Sequence, residues 1–332
     1  MYSDYHRKNK LDLSVDPHSI KNYSKTFNST ARSTMNCNAQ NTAKHPSNLP
    51  RSTMVVGVVQ FKGSREQYTQ SQDRLIEIIS DAGEHGVELI VTPECVCSEY
   101  FFSTFEEARL YAERTDGTFA KALIECSVTW GMWCFVGVIE QGVDGRLFNS
   151  AFITNPDGEL YVYRKRLLFD ADEIWATSGE EYPVEVLKPH SLGEHNLAYL
   201  SYDPSPPYPL FDVHGWKVTV GICMDLNDPR FLNFCAHADV DLIAFPTNWI
   251  DEGKPVLNYW AALLQGMHRA TLLAANSYGL DGDYTLSGHS SILQASPPTL
   301  LGEAPKVGDY IITCTLDYLV PLQSAHKEFV EE

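Results

Sequence analysis

Residues 87–94 read VELIVTPE, a short β-rich apolar run stopped by Pro93 and followed at once by Glu94. A run this short, rich in branched side chains and closed by a breaker, predicts a buried strand rather than a helix. Upstream, residues 54–61 (MVVGVVQF) predict a second buried strand. Between the two, residues 67–82 put Leu75, Ile76, Ile79 and Ala82 on one helical face. Downstream, helices are predicted at 105–113 and 118–129, parted by the Asp116-Gly117 turn, and a strand at 133–139. Residues 148–155 and 160–164 predict a hairpin around Pro156-Asp157-Gly158. Buried strands at 218–223 and 241–246 flank a helix at 229–237. Residues 258–271 read as a helix and 272–276 as a strand, and strands at 289–294 and 310–316 close the pattern. Residues 180–210 are irregular, with a loop at 204–209 (PSPPYP). Strands alternating with helices over this length predict an α/β layered domain. No internal repeat of solenoid length is present.

Composition narrows the function classes. The 332 residues carry a formal net charge of −18, which disfavours nucleic acid or an anionic membrane as a partner, since both are negative. No apolar run is long enough for a transmembrane helix. Eight cysteines are too sparse for a disulfide scaffold, and they lack the paired spacing of a structural zinc site, so no metal is expected. A reducing, cytoplasmic setting is the expectation. Residues 1–53 differ from the rest. They hold eight basic and three acidic residues, and Ser, Thr and Asn fill 20 positions without apolar periodicity. Such a segment cannot bury enough surface to offset its ordering entropy, so 1–53 is expected to be a disordered polar tail. It has no secretory apolar core. Its serines and basic residues have some transit-peptide flavour, against which stand three aspartates and no amphipathic arginine face. The expected layout is a tail at 1–53, one domain at 54–317 and a C-terminal tail at 318–332.

Three polar residues end or follow buried strands: Glu94 after VELIVTP, Lys165 after LYVYR, and Cys223 after KVTVGI. In layered α/β folds, ligands gather at the carboxyl ends of strands. A thiol needs a base or a positive neighbour to become nucleophilic, a carboxylate can remove its proton, and a lysine can stabilise an oxyanion. Each residue also has a plain structural reading. Buried cysteines usually pack, a glutamate after a strand usually faces solvent, and Lys165 sits in a basic triplet with Arg164 and Arg166.

Taken together, TPE (92–94), YRKRLLF (163–169) and GICMD (221–225) resemble the nitrilase superfamily of carbon–nitrogen hydrolases. Lys165 lies 71 residues after Glu94, and Cys223 lies 58 after Lys165. Asn149 with its neighbours (FNS, 148–150), DLIAFPTNW (241–249), HRATLLAANSYG (268–279) and SGHSSI (287–292) add to the resemblance, which runs from about residue 54 to 316. It implies a four-layer αββα sandwich and a Glu–Lys–Cys triad that uses no cofactor. Cys223 would be the nucleophile, Glu94 the general base and then acid, and Lys165 the oxyanion stabiliser, helped by the Met224 N–H. A second carboxylate after the lysine is implied too. Glu173 is the best match, with Glu180 or Glu181 as competitors, and its plain reading is a salt bridge to Arg164 or Arg166. The pocket walls would include Tyr100, Asn248 and Trp249, with Phe101, Tyr278 and His289 as weaker choices. Members usually form dimers or larger homo-oligomers.

The implied reaction is cleavage of an amide carbon–nitrogen bond through a cysteine thioester. GICMDLN and YRKRLLFDADEIW look most like protein N-terminal amidases, whereas TNWIDEGKPVLNYWAALLQ (247–265) is closer to aliphatic amidases. The substrate therefore stays open between an N-terminal amide, a small free amide, an N-carbamoyl compound and a nitrile. A non-catalytic scaffold on the same fold is the alternative from another class, and the intact Glu94, Lys165 and Cys223 argue against it. A papain-like Cys–His site has no motif context among the eleven histidines.

Overall fold

The computed structural model describes residues 51–179, 185–187 (the course of one strand) and 208–318. The polar tail expected through residue 53 lies outside these as far as residue 50. Glu180 and Glu181, most of the expected proline-rich loop and the C-terminal tail beyond Tyr318 lie outside them as well.

In chain order the elements are strand β1 (Thr53–Gln60), helix α1 (Tyr68–Glu84), strand β2 (Leu89–Val91), helices α2 (Phe105–Arg109) and α3 (Thr118–Trp130), and strands β3 (Trp133–Gln141), β4 (Leu147–Thr154), β5 (Leu160–Arg164) and β6 (Glu185–Leu187). Then come β7 (Phe211–Val213), β8 (Trp216–Val220), α4 (Pro229–Ala238), β9 (Leu242–Thr247), α5 (Val256–Leu263), β10 (Thr271–Asn276), β11 (Tyr278–Asp281), β12 (Tyr284–Ser287), β13 (Ser291–Gln294), β14 (Thr299–Glu303) and β15 (Tyr310–Asp317).

Two mixed sheets result. The first runs β15-β1-β2-β3-β4-β5-β6 and the second β14-β13-β10-β9-β8-β7, with β11 and β12 as a separate hairpin. Each sheet has a parallel centre, β1-β2-β3 in one and β8-β9-β10 in the other, joined by helical crossovers. Side-chain alternation builds the layers. On β2, Leu89 and Val91 face the second sheet, while Ile90 faces Leu75 and Ile79 of α1 and Leu123 of α3. Helices α4 and α5 cover the far face of the second sheet through Phe231, Cys235, Leu257 and Trp260. This is the four-layer αββα sandwich.

Three expectations change in detail. The helix expected at 258–271 stops at Leu263, and a tight turn at Leu264–Gly266 leads into β10 by Thr271. Its apolar period runs on because Met267 and Ala270 still pack into the same core. The helix expected at 105–113 ends at Arg109, since Glu113 leaves to form a bridge with Glu140 on β3. The strand expected through residue 223 ends at Val220, and Cys223 opens a 3-10 turn instead. The short strands β7, β11, β12 and β14 lie outside the expected strands, and so does β6, which pairs with β5 inside the stretch 180–210 expected to be irregular.

Candidate active site

Four strand ends converge between the sheets. Glu94 follows β2, Lys165 follows β5, Cys223 follows β8 and Asn248 follows β9. All four are buried. Glu94 is held by its backbone neighbours: the Thr92 N–H donates to the Phe135 carbonyl (3.0 Å) and the Val96 N–H to the Gly137 carbonyl (3.0 Å). Gly137 permits this approach, because a Cβ there would lie 2.3 Å from the Pro93 oxygen and 2.6 Å from the Glu94 Cα.

The Lys165 ammonium donates to Glu94 Oε1 at 2.8 Å and to Asp172 Oδ2 at 2.5 Å, with all three side chains fully shielded from solvent. Asn149 Nδ2 donates to the same Glu94 Oε1 (2.7 Å) and to Asp172 Oδ1 (2.9 Å). The second carboxylate beside the lysine is therefore Asp172, not Glu173. Asp172 opens a 3-10 turn fixed by its own N–H to the Phe169 carbonyl (2.8 Å) and by the Phe169 N–H to Asp172 Oδ2 (2.9 Å). That turn points Asp172 inward with the buried Trp175 and leaves Glu173 exposed. Nor does Glu173 pair with the basic triplet. Arg164 instead holds Glu140 in a buried pair (2.8 Å through Nε).

Cys223 adopts φ +44, a left-handed conformation that costs a non-glycine residue about 1–2 kcal/mol. The strained turn brings the thiol to a cavity of about 510 Å³. Tyr100, Met224, Asn248 and Trp249, each named from the sequence, line that same cavity. Phe101, Tyr278 and His289 do not. Phe101 stacks on Tyr284 (4.2 Å), the Tyr278 hydroxyl donates to Asp309 (2.8 Å), and His289 pairs with Glu303 (2.6 Å). The sequence reading missed the roles of Asn149 and Asp172. It also missed the cavity walls that Phe169, Val256 and Tyr259 supply.

Electrostatics of the cluster follow from burial and charge count. Burial raises Glu94 above the usual carboxylate range, although Lys165 and Asn149 pull it down. Burial acts to lower Lys165, but the Asp172 and Glu94 carboxylates outweigh it and hold the ammonium firmly protonated. Burial and the Glu94 charge push the Cys223 thiol up to about 12, against the opposing pull of Lys165 and the Thr247 hydroxyl. The resting group is therefore a neutral thiol, which needs a base to become nucleophilic. Buried Glu94 Oε2, Tyr100 Oη, Thr247 Oγ1 and Asn248 Oδ1 make no well-formed hydrogen bond among the described residues. Of these residues Tyr100 and Asn248 line the cavity, where a polar guest would satisfy them. Among the described residues, no cluster of His, Cys, Asp and Glu is arranged to hold a metal ion.

Comparison with known proteins gives a consistent picture. The sequence model of the carbon-nitrogen hydrolase family matches residues 55–316. An omega-amidase NIT2-A of Xenopus laevis is 26% identical over 243 residues, covering 72% of this chain and 80% of its own. A protein N-terminal amidase of Schizosaccharomyces pombe is 26% identical over 270 residues, covering 73% and 92%. Among solved structures, the NitN amidase from Nesterenkonia sp. AN1 shares the fold with a TM-score of 0.61 at 18% identity, covering 79% of this chain and 92% of that one.

Proposed function

The chain belongs to the carbon–nitrogen hydrolase family and is a hydrolase of carbon–nitrogen bonds; on that premise we propose that it hydrolyses amides by covalent catalysis at Cys223. The observation that carries this reading is the buried Lys165–Glu94 pair beside a thiol that opens onto the cavity. Glu94 takes the thiol proton as Sγ bonds to the amide carbon, and the carbonyl oxygen becomes an oxyanion. Lys165 Nζ and the Met224 N–H stabilise that charge. As the C–N bond breaks, Glu94 returns the proton to the departing nitrogen, leaving a thioester. Water then attacks the thioester carbon and gives a proton to Glu94. Collapse expels the sulfur, which recovers the proton, and the carboxylic acid departs. Asp172 and Asn149 keep Lys165 and Glu94 in register, and the raised Glu94 pKa suits a group that must both accept and donate a proton.

The charge around the cavity bears on the substrate. Exposed Asp170 and Glu252 line it together with the single exposed cation Lys254, and none of the three has an ion-pair partner among the described residues. An amide whose far end carries a carboxylate would meet a net negative wall, whereas an ammonium would be attracted. This favours a protein N-terminal amide over the amide of a dicarboxylic acid. The test is ammonia release from an Asn- or Gln-initiated peptide, a dicarboxylic acid monoamide and a neutral aliphatic amide, with wild type and Cys223→Ala side by side. Release from the peptide that vanishes in the variant is expected. Release that persists in Cys223→Ala would sink the thiol mechanism, and a preference for the anionic monoamide would overturn the substrate reading.

A further inference from the structure

Asp225 stands two residues beyond Cys223, has no solvent exposure and is absent from the cavity lining. Its two carboxylate oxygens each accept two hydrogen bonds. Oδ1 takes the backbone N–H groups of Arg166 (3.1 Å) and Leu167 (2.9 Å). Oδ2 takes the Ile222 N–H (2.9 Å) and the Tyr163 hydroxyl (2.9 Å). Three of these donors lie within two residues of Lys165, and the fourth immediately precedes Cys223. The lysine segment leaves β5 of the first sheet and the cysteine turn leaves β8 of the second. One buried anion therefore ties the two loops together across the sandwich.

We infer that Asp225 is a positioning residue that fixes the Cys223 sulfur relative to the Lys165 ammonium and the Glu94 carboxylate. The turn it anchors is strained at Cys223 (φ +44), and the Ile222 N–H bond to Asp225 Oδ2 helps to hold it, together with the Asp225 N–H donated to the Ile222 carbonyl (2.9 Å). Four donors are what a desolvated carboxylate with no cation in direct contact needs to stay buried. Asparagine has the same shape but only one acceptor oxygen. With its NH2 toward Arg166 and Leu167 it strands two backbone N–H groups, and turned the other way it strands the Ile222 N–H while the Tyr163 hydroxyl must reverse to accept, so the clamp is weakened either way.

The experiment compares Asp225→Asn with wild type in the full-length protein by two readouts. The first is the rate at which iodoacetamide labels Cys223, followed by peptide mass spectrometry. The second is the kcat and KM for whichever amide the wild type hydrolyses. The second rests on the proposed function, and the first does not. With misplacement of the sulfur by an ångström or less, labelling and kcat should both fall by about 100-fold while KM stays within about twofold. A folded Asp225→Asn protein with wild-type labelling and kcat, whatever its Tm, would overturn the proposal. If that variant does not fold, Tyr163→Phe decides. It removes one donor and keeps the ring, so labelling and kcat should fall about threefold to tenfold at constant KM. Wild-type values would overturn the proposal. A wild type that hydrolyses no amide would defeat the proposed amide hydrolysis and leave the labelling comparison standing.

Discussion

Asn149 and Lys165 bridge the same two carboxylates, each donating to Glu94 Oε1 and to one oxygen of Asp172. Two acids thus share one cation and one amide in a site without solvent. Shared in this way, the lysine cannot fully neutralise both acids, and the excess negative field favours the protonated form of the Cys223 thiol.

Asp172→Asn is expected to cut kcat at least tenfold, because it removes half of the anchorage of Lys165 and leaves a buried amide among donors. Breaking a buried ion network by removing one partner costs about 3–5 kcal/mol, so Tm should fall as well. Glu173→Gln, one position on and exposed, should leave both within error. Steady-state kinetics and thermal melts of the two variants separate the adjacent acids, and a reversed pattern would restore Glu173 as the second carboxylate.

The pH dependence has a definite sign. Glu94 acts only when deprotonated, and burial raises its pKa, so activity should be lost on acidification at a pH above the ordinary carboxylate value of about 4.3. Cys223 stays protonated to about 12. Its alkylation, which needs the thiolate, should therefore still be climbing at about pH 10, where a free cysteine with a pKa near 8.5 has levelled off. A sigmoidal rise near that value would show that the sulfur titrates on its own.

Glu94→Gln preserves the shape of the base and removes its proton chemistry. General-base catalysis contributes about 100- to 10,000-fold, and kcat should drop by a factor in that range. Because the Glu94 charge holds the thiol pKa up, Cys223 should be alkylated at least as fast as in the wild type. Loss of labelling altogether would mean that the variant had misfolded or that the thiol had moved.

Gly137→Ala tests the packing under the base. The added methyl would collide with the Pro93 oxygen and the Glu94 Cα, so either the chain after β2 shifts or the protein is destabilised. We expect a kcat loss together with a Tm loss of several degrees, read by kinetics and calorimetry. A variant with wild-type activity would show that Glu94 tolerates displacement.

The sequence made the strand-end residues legible for a physical reason. Glu94, Lys165 and Cys223 each interrupt or end an apolar run, and burying a polar side chain there is costly enough to demand a purpose. Asp172 left no such mark. It differs from Glu173 by one position in a turn whose hydrogen bonds, not its composition, decide which acid faces inward. Asp225 was hidden in the same way, since its partners are mostly backbone N–H groups, two of them from the distant lysine segment. Strands such as β12 escaped notice because Tyr284 and Thr285 are exposed, so no alternation of buried side chains announces them. The overrun of α5 arose because the packing of Met267 and Ala270 continued the apolar period after the helix had ended at Leu263.

The pairing of β1 with β15 sets Gln60 opposite Tyr310 and Thr53 opposite Asp317. Almost the whole described chain must be synthesised before this pair can close. Until then β1 offers a bare edge of unpaired amides, able to recruit strands from other nascent chains. Contacts so remote in sequence also slow folding, so that edge stays open longest. The enzyme's yield in a crowded cell should thus depend on how soon β15 leaves the ribosome and on whether a chaperone shields β1 in the interval.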